Sequence, residues 1–160
     1  MHSTFSDGKA APEEYIAPAL AADIKEIGFS EHLSLINIKQ EWCMNPSEVG
    51  SYIKHIGNLK IINPDIIVRT GLEIDYLPGK EKVIEMFLSE LDLDYRIGSV
   101  HYLGEKTVDL DPGFYENKNF DLLFENYFTT VIAAAASGLF DIIAHCDLIR
   151  IYGHRPSFDP

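Results

Sequence analysis

The chain has 160 residues, 46% of them hydrophobic and 24% charged, with a formal net charge of −12. That length and balance suit one globular domain with a real core and exclude a disordered chain. The acidic surplus provides no basic footprint for a nucleic-acid backbone, although a local metal cluster could still hold a small anion.

The two cysteines, Cys43 and Cys146, fit no CxxC pattern and read as free thiols. No basic-then-apolar leader follows Met1. The longest apolar stretch, residues 131–140, is too short for a bilayer. A soluble, cytoplasmic protein is expected, with no membrane partner.

In chain order, short β-like runs alternate with helical patterns. Residues 12–26 (PEEYIAPALAADIKE) read as a helix that Pro18 kinks or restarts, and residues 27–32 (IGFSEH) as a strand with a polar end. Residues 45–59 carry the entry signal Pro46, Ser47 and Glu48 and predict a helix. Residues 65–76 are β-branched and strand-like, and 79–91 form an amphipathic helix. Residues 95–103 predict a strand, 117–138 a long helix stopped at Gly138, and 139–147 a buried strand. Strands alternating with helices imply a parallel α/β sheet or barrel, with working residues at the carboxyl ends of the strands.

Of the six histidines, four fall at such places. His32, His101 and His145 end strands, and His2 sits where an earlier strand would end. Glu73 lies late in the strand at 65–76, in apolar surroundings. His55 and His154 have no such placement and read as ordinary. A single strand-end histidine is commonly a hydrogen-bonded core residue. Several at equivalent ends converge on one mouth, where with a carboxylate they could bind Zn, Mn or Fe. Such ions polarise a phosphoryl group and lower the pKa of bound water.

The stretches MHSTFSDG, IGFSEH, GLEIDY, IGSVHYL and DIIAHCDLIR together resemble the PHP (polymerase and histidinol phosphatase) family, in its histidinol-phosphatase branch. The resemblance covers nearly the whole chain. It implies one partial PHP domain over residues 1–160 and a distorted, TIM-like (β/α)7 barrel with up to three metals at its mouth. By position, His2 resembles the second histidine of an opening HxH motif. Asp7 resembles the next ligand and His32 the histidine of the second motif. Glu73 resembles a carboxylate bridging two metals, and His101 and His145 the following ligands. Glu73, His32 and Asp7 form the implied catalytic set. The implied reaction is hydrolysis of L-histidinol phosphate to L-histidinol and phosphate, in histidine biosynthesis.

Met1 stands where the middle residue of HxH belongs, and neither Asp147 nor Asp159 lies in the family's late DxH. The expectation is therefore an incomplete barrel lacking its first and last strands and some ligands. Glu73, His101 and His145 would keep one ion's whole set. For substrate, Arg150 could grip phosphate through two parallel hydrogen bonds, with Arg155 a lesser candidate and a solvated arginine the bland alternative for each. Trp42 and Tyr102 read as core aromatics or as an imidazole pocket, and Ser99 as a packing residue. Two other readings stay open: a phosphoesterase of this family acting on another small ester, and a non-catalytic fragment.

Overall fold

The computed structural model describes residues 1–35 and 40–158. Asp159 lies outside the described residues. The chain begins with a tight polar loop and a 3-10 turn at Pro12–Tyr15, then α1 (Ile16–Ala21) and β1 (Glu26–Leu33). Next come α2 (Val49–Ile62), β2 (Ile67–Asp75), α3 (Glu81–Ser89) and β3 (Tyr95–Ser99). A small antiparallel hairpin follows, β4 (Tyr102–Leu103) with β5 (Lys106–Thr107). The last elements are α4 (Phe120–Ala136) and β6 (Ile142–Ile143).

The strands β1, β2, β3 and β6 form one parallel sheet in that order. Each successive pair is joined through a helix, the connection that parallel strands require. The helices form where the sequence supplies both a cap and an apolar stripe. Before α2, the Asn45 side chain accepts the Ser47 N–H, and Glu48 reaches back to the Asn45 N–H. Its stripe of Val49, Tyr52, Ile56 and Leu59 is buried, and the Tyr52 hydroxyl donates to the Gly71 carbonyl of β2 at 2.9 Å. Asn119 caps α4 by accepting the Leu122 N–H. Gly138 ends it with φ of +72°, a conformation that costs glycine little. Phe29 of β1 and Leu72 and Ile74 of β2 are fully buried, each worth about 1.5–3 kcal/mol by removal from water.

Three elements differ from the sequence expectation. The helix at 12–26 is a 3-10 turn followed by a fresh start at Ile16. Pro18 then sits in the first turn of α1, where its missing N–H is no loss, and the chain is already strand by Glu26. The strand at 95–103 stops at Ser99, because Tyr102 and Leu103 turn aside to pair with β5. The strand at 139–147 has only Ile142 and Ile143 in the ladder. As the outermost strand it is half-exposed rather than buried. Among the described residues, no helix is long and apolar enough to cross a membrane.

Candidate metal centre

The register of the sheet creates the site. His32 on β1 lies directly beside Glu73 on β2. Residues spaced by two share a face, so Glu73 and Asp75 point the same way. His101 follows β3 by two residues and His145 follows β6 by two, so both reach the same mouth. His2 arrives from the opening loop, held against Tyr15, whose hydroxyl donates to the His2 carbonyl at 3.0 Å.

Glu73 is the hub. Its Oε2 lies 3.6 Å from His2 Nε2. Its Oε1 lies 3.5 Å from His32 Nδ1, 3.7 Å from His101 Nε2 and 3.2 Å from His145 Nε2. The ligand atoms fall into two compact groups, His2–His32–Glu73 and Glu73–His101–His145, with Glu73 common to both. The His2 and His32 rings stack at 4.0 Å, and His101 lies 5.2 Å from His32 and 4.9 Å from His145 between centroids.

Imidazoles packed this closely around one carboxylate, without a lysine or arginine among them, form a donor set that fits divalent ions. The buried Nδ1 atoms of His2 and His32 have no hydrogen-bond partner among the described residues, which leaves donor atoms for an ion to take up.

The electrostatics favour the neutral form of His32 and the ionised form of Glu73. Burial drives the His32 imidazole down to about 4, with the neighbouring histidines adding to the effect and Glu73 opposing it. Burial pushes the Glu73 carboxyl up, but the His145 hydrogen bond and the charges of His32, His101 and His145 outweigh it and hold Glu73 below the ordinary carboxylate range. Burial also opposes charge on His101. The Asp75 hydrogen bond and charge, with Glu73, overcome this and raise it.

Of the residues proposed from sequence, His2, His32, Glu73, His101 and His145 come together. Asp7 stands at the rim, exposed, with Oδ1 at 3.9 Å from His32 Nε2 and outside both compact groups. Arg150 ends a 3-10 turn just past His145, with its Nε buried. Arg155 is exposed and donates to the His154 carbonyl. Among the described residues neither arginine bonds to the cluster. Ser99 is fully buried and donates to the Ile74 carbonyl at 3.4 Å. His55 pairs with Glu13 at 2.7 Å, and His154 stacks on Tyr115 and Phe120, both away from the cluster.

Sequence reasoning missed two neighbours, Asp75 and Glu31, and left Trp42 open between a core and a pocket role. Asp75 Oδ1 lies 2.7 Å from His101 Nδ1, and Asp75 is 3% exposed. Glu31, on the opposite face of β1 from His32, binds the opening loop. Trp42 packs edge-on against both His32 and His101 at 5.0 Å and so walls the cluster. The parity of GLEID could have found Asp75. An acidic residue in an otherwise apolar strand could have found Glu31.

The PHP domain family model matches residues 1–159. The chain is 38% identical over 148 residues to a Deinococcus radiodurans protein named "Probable histidinol-phosphatase", and 26% identical over 156 residues to the Lactococcus lactis histidinol-phosphatase. These alignments cover 89% and 96% of the chain but 56% and 57% of the relatives, so the chain spans about half the length of the curated relatives it matches. The crystal structure of the Lactococcus lactis histidinol phosphate phosphatase, complexed with zinc, L-histidinol and phosphate, superposes with a TM-score of 0.82 at 23% identity. It does so over 94% of this chain and 57% of that one. The open parallel sheet is thus an incomplete TIM-like barrel, and the chain belongs to the PHP domain family.

Proposed function

We propose that this chain carries the metal centre of a metal-dependent phosphomonoesterase that hydrolyses L-histidinol phosphate to L-histidinol and phosphate. The observation that carries the reading is the single carboxylate of Glu73 shared between two imidazole groups. Its relatives' names, and the ligands in the Lactococcus lactis structure, supply the substrate class. The chain is read as one partial PHP domain over residues 1–160, working in histidine biosynthesis in the cytoplasm.

His2 and His32 with Glu73 would hold one ion, and Glu73 with His101 and His145 a second. Asp7, at the rim beside His32, would complete a further position. Zinc is the first candidate, with Mn or Fe alternatives on the same donors. Bound there, such ions supply Lewis acidity toward a phosphoryl oxygen and a hydroxide nucleophile at neutral pH.

The chain's own residues do the rest. Glu73, kept ionised by the surrounding imidazoles, holds the two groups in register. His32 stays neutral and so offers a lone pair rather than a proton. Asp75 accepts the Nδ1–H of His101 and turns Nε2 toward Glu73. Trp42 excludes water from one side. Arg150 would meet the phosphate as a bidentate donor, with Arg155 further out.

The test is a substrate comparison. With zinc supplied, kcat/KM for L-histidinol phosphate should exceed that for other small phosphomonoesters by at least about tenfold, one tenfold step being about 1.4 kcal/mol. Equal rates across the panel would favour a general phosphoesterase. Because the chain spans about half of its relatives, a second reading has the same cluster binding zinc without turnover. That reading predicts zinc uptake and no phosphate release.

A further inference from the structure

We propose that Glu31 is the positioning residue for the half of the centre that His2 and His32 form with Glu73, with Asp7 at its rim, an inference that rests on the metal reading above. Alternation along β1 sends His32 into the mouth and Glu31 to the other face, where it is fully buried. A buried carboxylate is costly unless its oxygens are satisfied. Among the described residues, its bonded donors come from the opening loop. The Ser3 backbone N–H is shared between Oε1 at 3.0 Å and Oε2 at 2.9 Å. The Ser3 hydroxyl donates to Oε1 at 2.7 Å and the Ser6 hydroxyl to Oε2 at 2.5 Å. These donors are neutral, so the bonds are charge-assisted without an ion pair.

The loop is then folded tightly around Ser3. The Ser3 carbonyl accepts from the Ser6 N–H at 3.1 Å and the Gly8 N–H at 2.9 Å. A Cβ on Gly8 would fall 2.4 Å from the His2 carbonyl carbon, so no side chain fits there. His2 precedes Ser3, and Asp7 lies between Ser6 and Gly8. One carboxylate on β1 therefore sets the loop that presents both residues to His32, its own neighbour in sequence. The other group takes His101 and His145 from the turns after β3 and β6, and meets this loop through the shared Glu73, which lies 3.6 Å from His2.

The prediction is a selective loss. Gln in place of Glu31 keeps the shape but turns an amide donor toward the Ser3 N–H. Purified protein would be stripped of metal and titrated with cobalt(II), with uptake and visible absorption read for wild type, Glu31→Gln, His2→Ala and His145→Ala. Glu31→Gln should weaken one set of cobalt sites about 10–100-fold, the range for lost supporting contacts in metal sites. Its titration should match His2→Ala and differ from His145→Ala. If Glu31→Gln fails to fold, Ser6→Ala removes a single donor and should shift the same sites in the same direction by less. A titration superimposable on wild type, or equal weakening of both sets, would overturn the role of Glu31. Wild-type protein that takes up no cobalt would overturn the metal reading, and this inference with it.

Discussion

Asp75 Oδ1 lies 2.7 Å from His101 Nδ1, where the end of β2 meets the end of β3. This contact decides which ring nitrogen of His101 can serve a metal. With Nδ1 donating to the carboxylate, Nε2 keeps its lone pair and lies 3.7 Å from Glu73. Asp75→Asn keeps the size and removes the charge. Zinc affinity should fall about 10–100-fold, measured by competition with a chromophoric chelator. Nitrogen-15 spectra of the wild-type imidazole should report the Nδ1–H tautomer. Unchanged affinity in the variant would remove Asp75 from the centre.

The His32 shift gives a pH prediction for the metal-free protein. Its pKa falls from 6.5 to about 4 in the fold. Between those values the unfolded chain binds more protons at this site, so stability rises with pH across the window and is lost on acidification from 6.5 toward 4. His101 runs the other way. Its raised value contributes stability that is present below 6.5 and lost at higher pH. Melting temperatures of wild type and His32→Gln should therefore diverge at neutral pH and converge on acidification toward 4. Parallel curves would contradict the burial assigned to His32.

Arg150 has its Nε buried without a hydrogen-bond partner among the described residues, in the turn that follows His145. A guanidinium edge so placed suits a phosphate. Arg150→Lys keeps the charge and loses the fork. It should lower kcat/KM about 10–100-fold, equivalent to about 1.5–3 kcal/mol for bonds to a charged group. Arg155→Ala, at an exposed position, should change it less than about threefold. The reverse order would reassign the phosphate contact.

Much of this site was legible in the sequence because its parts are strand ends. Once IGFSEH, GLEIDY and DIIAH are read as parallel strands, the positions of His32, Glu73 and His145 follow from chain order alone. Less legible was the turn after Ser99. Gly98 is the one breaker residue from Tyr95 to Leu103, yet it stays in the ladder beside Ile74 and Ile143; the strand ends one residue later at Ser99, and the Val108 N–H bonds to the His101 carbonyl at 2.9 Å. That bond belongs to tertiary structure, and local propensity does not carry it.

Glu31 and Asp75 were hidden for a related reason. Each is an acidic residue within two positions of a proposed ligand, and acidic residues are usually solvated. Only the sheet shows that Glu31 faces the opening loop and Asp75 faces His101. Trp42 reads from the sequence as either a core or a pocket aromatic, and the structure lays it against His32 and His101.

Glu73 is common to both ligand groups and is proposed to join them into one phosphoryl-transfer centre. The most direct measurement is zinc content and phosphate release from L-histidinol phosphate, for wild type and Glu73→Gln side by side, with circular dichroism to confirm that both fold. Zinc-dependent release is expected for wild type, with loss of both release and tight zinc binding in the variant at an unchanged fold. Release or zinc content in Glu73→Gln equal to wild type would contradict it.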